Sequence, residues 1–205
     1  MYIGKTLEEK AMDMSKFNPL DVAQLATREL ERVTEPRRRQ ILENFIEHAT
    51  AEATGDYERL MASCSKKHQS YRVYGREIDQ NSLPQSYQEL EKHYYQLIAS
   101  NIYVLQLEAE KLTVGTDTLM VEGIVHQLMT GEMLKKVVGI EVDDPAGVYQ
   151  LSKRTAIMFI FDEDGLGCGE HAYTDGPATP ERISKVPPEL VPELFWNNPL
   201  TGKAA

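Results

Sequence analysis

The stretch Arg154–Asp175, RTAIMFIFDEDGLGCGEHAYTD, decides how this chain is read. Its first arm, Thr155 to Phe161, is rich in β-branched and aromatic residues, which suit a pleated, half-buried backbone. Asp162-Glu163-Asp164-Gly165 then supplies the turn residues that reverse a chain into a hairpin. The returning arm carries Glu170, His171, Tyr173 and Asp175. Side chains alternate along a strand, so His171, Tyr173 and Asp175 share one face and Glu170 takes the other. A His, a Tyr and two carboxylates on one arm point to a pocket, because titratable groups gather where chemistry is done. An edge strand with polar residues turned to water gives the same pattern.

Upstream of the hairpin, Ile102 to Val114, Leu119 to Met129 and Val148 to Phe161 read as strands, as Leu166 to Thr174 does after the turn. Before Ser100 the period is helical. Asn18-Pro19 followed by Asp21 opens an amphipathic helix with Val22, Leu25, Ala26, Leu30 and Val33 on one side. A longer helix is expected from Pro36 to Thr54, with Ile41, Leu42, Phe45, Ile46 and Ala49 as its stripe and Gly55 as its stop. Asp56 caps a short third helix, and His68 to Tyr74 forms a first strand. Ser86 and Glu89 have capping-box spacing ahead of a helix carrying Tyr87, Leu90, Tyr94, Leu97 and Ile98. Helices first and strands later predict an α+β domain with helices on one face of a mainly antiparallel sheet. The connection Gly131 to Gly147 reads either as a lid over a pocket or as a surface excursion.

At 205 residues the chain can bury one full core, with segments to spare. Its net charge of -10 argues against nucleic acid, whose phosphates require a concentrated basic field. Arg37-Arg38-Arg39 and Lys66-Lys67-His68 are too short to supply one. Two cysteines, Cys64 and Cys168, are too few for a disulfide framework and lack the paired spacing of a zinc site. The first residues, MYIGKTLEEKAMDMSK, place charges where a signal peptide needs an apolar core, and no run of about 18 apolar residues occurs. These features predict a cytoplasmic protein with no membrane association. The tail from Gly176 holds six of the ten prolines beside Leu190, Val191, Leu194, Phe195 and Trp196. Such a cluster is expected to dock on its own domain or on a second subunit.

The order of helix, short helix, strand, helix and long strands resembles the SnoaL-like branch of the nuclear-transport-factor-2-like superfamily. FIFDEDGLGCGEHAYTD is similar to the closing strand pair of its members, and LMVEGIVHQLMTGE from Leu119 to Glu132 to an earlier strand. The resemblance covers roughly residues 36–175. It implies a cone-shaped curved sheet, with the helices packed on its concave face around an apolar cavity. It also divides the chain into an N-terminal extension (1–35), the α+β domain (36–176) and a Pro-rich docking tail (177–205). Relatives include polyketide cyclases, ketosteroid isomerases, dehydratases, epoxide hydrolases and proteins without activity, and most of the enzymes need no cofactor. A homodimer or homotrimer is implied as well.

Within such a cavity, Glu122, Ile124 and His126 form one strand face, as His171, Tyr173 and Asp175 form another. His126 and His171 are the candidate proton-transfer groups, since an imidazole titrates near neutrality. Asp175 or Glu122 would orient the base, and Tyr173 would donate to an oxyanion. Arg154, Tyr71 and Tyr94 would hold the polar end of a substrate. The structural alternatives are half-buried strand positions bonded to backbone for His126 and His171, a surface pair with one of the many acids for Arg154, and core or rim places for the tyrosines. The expected function is cofactor-independent acid/base chemistry of lyase, dehydratase or isomerase type on a hydrophobic, aromatic small molecule. No metal is implied. The alternatives are a non-catalytic binding or dimerisation module, favoured if both histidines turn from the cavity, and an association subunit docking through its tail.

Overall fold

The computed structural model describes residues 12–202, so most of the opening stretch read above for a signal peptide lies outside the described residues. Its main elements are α1 (Asp21–Leu30), α2 (Pro36–Thr54), α3 (Tyr57–Ala62), β1 (Ser70–Tyr74), α4 (Tyr87–Ala99), β2 (Leu105–Val114), β3 (Thr118–Thr130), α5 (Gly131–Val138), β4 (Val148–Phe161), β5 (Gly167–Thr174), β6 (Ile183–Lys185) and α6 (Glu193–Trp196). The strands make one six-stranded sheet in the order β1-β5-β4-β3-β2, with β6 added along β4. This is the expected α+β arrangement. Among the described strands β1 departs from antiparallel pairing: it runs parallel to β5 and sets Tyr71 beside Glu170. A parallel neighbour requires a long crossover, and the whole of α4 through β4 provides it.

Local chemistry explains the boundaries of α2. Glu35 caps it by accepting from the amides of Arg37 (3.0 Å) and Arg38 (2.8 Å), Pro36 occupies the first turn, and Gly55 ends it at φ 67°. Arg37 also donates to the carbonyls of Asp162, Glu163 and Thr116, so the start of α2 is tied to the β4–β5 turn. Within that turn, buried Asp162 accepts from the amides of Asp164 (2.9 Å) and Leu166 (3.0 Å) and from the Ser65 hydroxyl (2.5 Å). At α4 the cap is split: Ser86 accepts from the Glu89 amide, while Glu89 accepts from the amide of Gln85 rather than of Ser86.

Helices α1 and α2 cover one face of the sheet. Val22, Ala23 and Ala26 of α1 share a core with Phe45 of α2, Leu107 of β2 and Val121 and Val125 of β3. Residues 21–30 are thus built into the domain core. Further along the same face, Leu134 of α5 packs on Met129, Tyr149 and Leu151. The connection read as a lid or excursion therefore begins with a helix that extends this covering layer. The tail docks on its own domain: Val186, Val191 and Phe195 are buried in a cluster with Leu90, Ile98 and Tyr103. Asn101 and Asn198 fasten it, through bonds to the carbonyls of Phe195 (2.9 Å) and Ile98 (2.6 Å).

Candidate active site

Between α1, α2 and the sheet lies a cavity of about 200 Å³. That is somewhat below the usual range of roughly 300–1,000 Å³ for small-molecule sites, so it suits a small ligand. Its walls are largely apolar, with Val22, Phe45, Val125, Ile157 and Phe159 among them, and Glu52, Glu170, Lys153 and Arg76 are the charged residues that reach it. Strand β5 contributes Glu170, Ala172 and Thr174, so alternation turns this set inward.

A compact polar cluster surrounds Glu170. Phe45, His48, Ala49 and Glu52 follow one another at the i, i+3, i+4, i+7 spacing of a single helix face, so α2 delivers an imidazole and a carboxylate beside an apolar wall. Tyr94, from α4, donates to Glu170 Oε1 at 2.9 Å, and the Tyr71 hydroxyl lies 3.4 Å from the same oxygen and 3.1 Å from Tyr94. His48 Nε2 is 3.6 Å from Glu170 Oε1, 3.9 Å from Glu52 Oε2 and 3.2 Å from the Tyr94 hydroxyl. The contacts to Glu170 all fall on Oε1. Among the described residues, no hydrogen bond or ion pair falls on Oε2.

The hydrogen bonds assign the protons. The Ser63 hydroxyl donates to the Leu60 carbonyl (2.6 Å), so it accepts from His48 Nδ1–H (2.9 Å). Nε2 then carries a proton only when the ring is cationic. Burial opposes that charge, yet the Cys64 sulfur and the Glu170 carboxylate beside the ring raise its pKa well above the ordinary value. Burial also works against the Glu170 anion, but His48 and the Tyr94 hydroxyl hold its pKa below the ordinary carboxylate range. Glu52 goes the other way: burial, and then the Glu170 charge, push it from 4.5 up to about 7. Burial and Glu170 raise Tyr71 and Tyr94 far above 10, so both stay hydroxyl donors.

Glu52 therefore keeps a proton in the folded chain that the unfolded chain releases between pH 4.5 and about 7. Its folded-state pKa is raised, so its contribution to stability falls as pH rises through that window and is flat beyond it. Glu52→Gln removes this slope. Relative to the wild type, the variant should gain about 1–3 kcal/mol between pH 4.5 and pH 8.5, measured by urea unfolding at both. A gap that does not widen with pH would mean that Glu52 is ionised throughout.

The structure separates the residues singled out in the sequence into two groups. Tyr71 and Tyr94 reach the cluster at Glu170. Strand alternation turns Glu122, His126, Arg154, His171 and Tyr173 to the opposite face, and Asp175 lies just past the end of β5. Glu122 and His126 alternate with the cavity-lining Val125 and Gln127 of β3, and His171 and Tyr173 alternate with Glu170, Ala172 and Thr174. His126 is buried against Ser152 (2.9 Å), Gln150 (2.8 Å) and Glu108 (3.2 Å), and His171 meets Ser70 (3.2 Å). Burial lowers the pKa of each histidine. Tyr173 stacks on Tyr74 at 4.9 Å, Asp175 pairs with Arg182 (2.6 Å), and Arg154 pairs with Glu110 (2.7 Å) and Glu122 (3.2 Å). None of these six lines the cavity. His48 and Glu52 were missed because the α2 stripe was read from its apolar members alone. Their spacing from Phe45 and Ala49 was the available signal.

Among the described residues, no three His, Cys, Asp or Glu side chains are grouped to hold a metal ion, and no helix is long and apolar enough to cross a membrane. Cys64 and Cys168 are both free and buried.

Comparison with known proteins places this architecture. No family model matches the chain, and no curated protein does. Solved structures do. A candidate SnoaL-like polyketide cyclase from Shewanella putrefaciens superposes with a TM-score of 0.54 over 76% of this chain and 88% of its own, at 10% identity. A second, from a Jannaschia species, gives 0.51 over 70% and 90%, also at 10% identity. The chain thus shares the α+β fold of these SnoaL-like structures. At such identity the likeness is one of fold, and function is argued from the site.

Proposed function

We propose that the protein is a cofactor-independent acid/base enzyme of lyase, dehydratase or isomerase type, acting on a hydrophobic, aromatic small molecule held in this cavity. The observation that carries the reading is the pair Glu170 and Glu52, both on the cavity wall and both within 4 Å of His48, with surroundings that raise the pKa of Glu52 and lower that of Glu170. Two titratable groups whose environments drive them apart supply a base and an acid at one pH. Glu170 Oε2 takes a proton from an activated C–H or O–H. The Glu52 carboxyl gives its proton to the departing or developing oxygen. His48 lies within 4 Å of both carboxylates and can return the proton afterwards. Tyr94 and Tyr71 keep Glu170 oriented by hydrogen bonds to Oε1. Pairing of two copies through the outer sheet face belongs to the same proposal. Exposed Met120, Tyr74 and Tyr173 there support it, and light scattering tests it.

Proton exchange in D₂O tests the chemistry without knowledge of the natural substrate. Aryl ketones and β-hydroxy aryl ketones are incubated with the protein, and deuterium uptake and elimination are followed by NMR. The expected profile for elimination is flat below pH 7 and falls above it as Glu52 ionises. His126→Ala and His171→Ala should stay within about threefold of wild type, because neither ring reaches the cavity. Strong loss in either outer-face variant, with the melting temperature unchanged, would return the chemistry to the other face. The second reading, a non-catalytic binding module, is favoured by the turning of His126 and His171 away from the cavity. Ligand binding with exchange no faster than in buffer would select it.

A further inference from the structure

We propose that the ligand of this cavity carries one carboxylate on its apolar body, seated between Lys153 and Arg76 at the end of the cavity away from Glu170. Lys153 lies on the inward face of β4, in line with Thr155, Ile157 and Phe159, and the register pairs Phe159 with Glu170. Six residues at about 3.3 Å each separate Lys153 from Phe159, so the cations and the acids occupy opposite ends of the strand. Gly75 brings the second cation in. Its backbone has φ +86°, and a Cβ there would stand 1.9 Å from the Thr174 carbonyl oxygen. Only glycine lets β1 end in a turn this close to β5, which carries Arg76 to the cavity wall.

Neither cation is matched. Among the described residues, the side chains of Lys153 and Arg76 make no hydrogen bond and no ion pair within 4.0 Å, in a chain with 32 acidic against 22 basic side chains. Burial, and then the charge of Arg76, lower the Lys153 pKa to about 8, and Asp175 offsets part of this while itself paired with Arg182. A half-buried ammonium beside a solvent-exposed guanidinium is a like-charge pair that an anion seated between them relieves. A carboxylate fits, because a guanidinium grips its two oxygens in parallel and an ammonium adds a third bond. Tyr103, also on the wall, has a buried hydroxyl without a hydrogen-bond partner among the described residues, so the site holds unmet polar capacity elsewhere too. The inference rests on the cavity being the substrate site and adds the substrate's charge.

Calorimetric titration of the full chain at pH 7 with 2-naphthoate against 2-naphthamide, and cinnamate against cinnamamide, tests the seat. The carboxylates should bind at least about tenfold tighter than the amides, the factor supplied by one charge-assisted hydrogen bond. Lys153→Met and Arg76→Met should each remove most of that preference and leave amide affinity and melting temperature near wild type. Raising salt from about 0.05 to about 0.5 M should shrink it. Equal binding of acid and amide, survival of the preference in the double variant, or no binding by any probe overturns the seat. Glu170→Gln must retain the preference, which separates the two ends. A carboxylate preference without proton exchange sinks the enzyme reading alone, and exchange without the preference sinks the seat alone.

Discussion

Glu170→Gln is expected to lower kcat for proton transfer by about 10²–10⁴, the range a positioned general base contributes, with ligand affinity changed little. Gln keeps the shape of the side chain and can still accept from Tyr94, but it has no basic oxygen for a substrate proton. A second effect is readable without any substrate. The Glu170 charge sits 3.6 Å from His48 Nε2 and helps to hold that ring protonated. Removing it leaves burial as the opposing influence, so the His48 titration followed by NMR should move toward lower pH by at least about one unit. The Glu52 pKa should fall at the same time, since Glu170 is one of the two causes that raise it. Full turnover in Glu170→Gln would remove this residue from the mechanism. An unmoved His48 titration would show that the three groups do not interact as the distances imply.

Phe195→Ala should destabilise the fold by about 3–5 kcal/mol, the cost of emptying a buried aromatic site. Phe195 is 1% exposed and sits in the cluster built by Leu90, Ile98 and Tyr103, while its neighbour Trp196 is 36% exposed. Trp196→Ala should therefore cost well under 1 kcal/mol. The loss at Phe195 also weakens the bonds of Asn101 and Asn198 that fix the tail to the end of α4. Because α4 carries Tyr94, the His48 titration should broaden or shift in Phe195→Ala even where the chain stays folded. Urea denaturation of the two variants side by side decides the matter. Equal midpoints would mean that the tail adds nothing to the domain.

Much of the architecture was legible before any coordinate. Pro36 and Gly55 bracket α2 where the sequence places it, because a proline in the first turn and a left-handed glycine at the end act locally. The Asp162–Gly165 turn was likewise readable, since its aspartate closes hydrogen bonds onto its own backbone. The site was harder. Alternation along β5 divided Glu170 from His171 correctly but gave no sign of which faced the helices, and the histidine attracted the functional reading. Tyr71 gained its place beside Glu170 only through a parallel pairing of strands about a hundred residues apart, which no local pattern encodes.

What the sequence determined by itself is the main helices, the long strands and the α+β class they make, because caps, turns and hydrophobic periods act within a few residues. The tertiary structure alone decided which face of each strand is the inside. Covering one face with α1 and α2 put Glu170 and Lys153 on the cavity and sent His126, His171 and Arg154 to the other face. A period of two is symmetric between faces, and only the helices packed against the sheet break that symmetry.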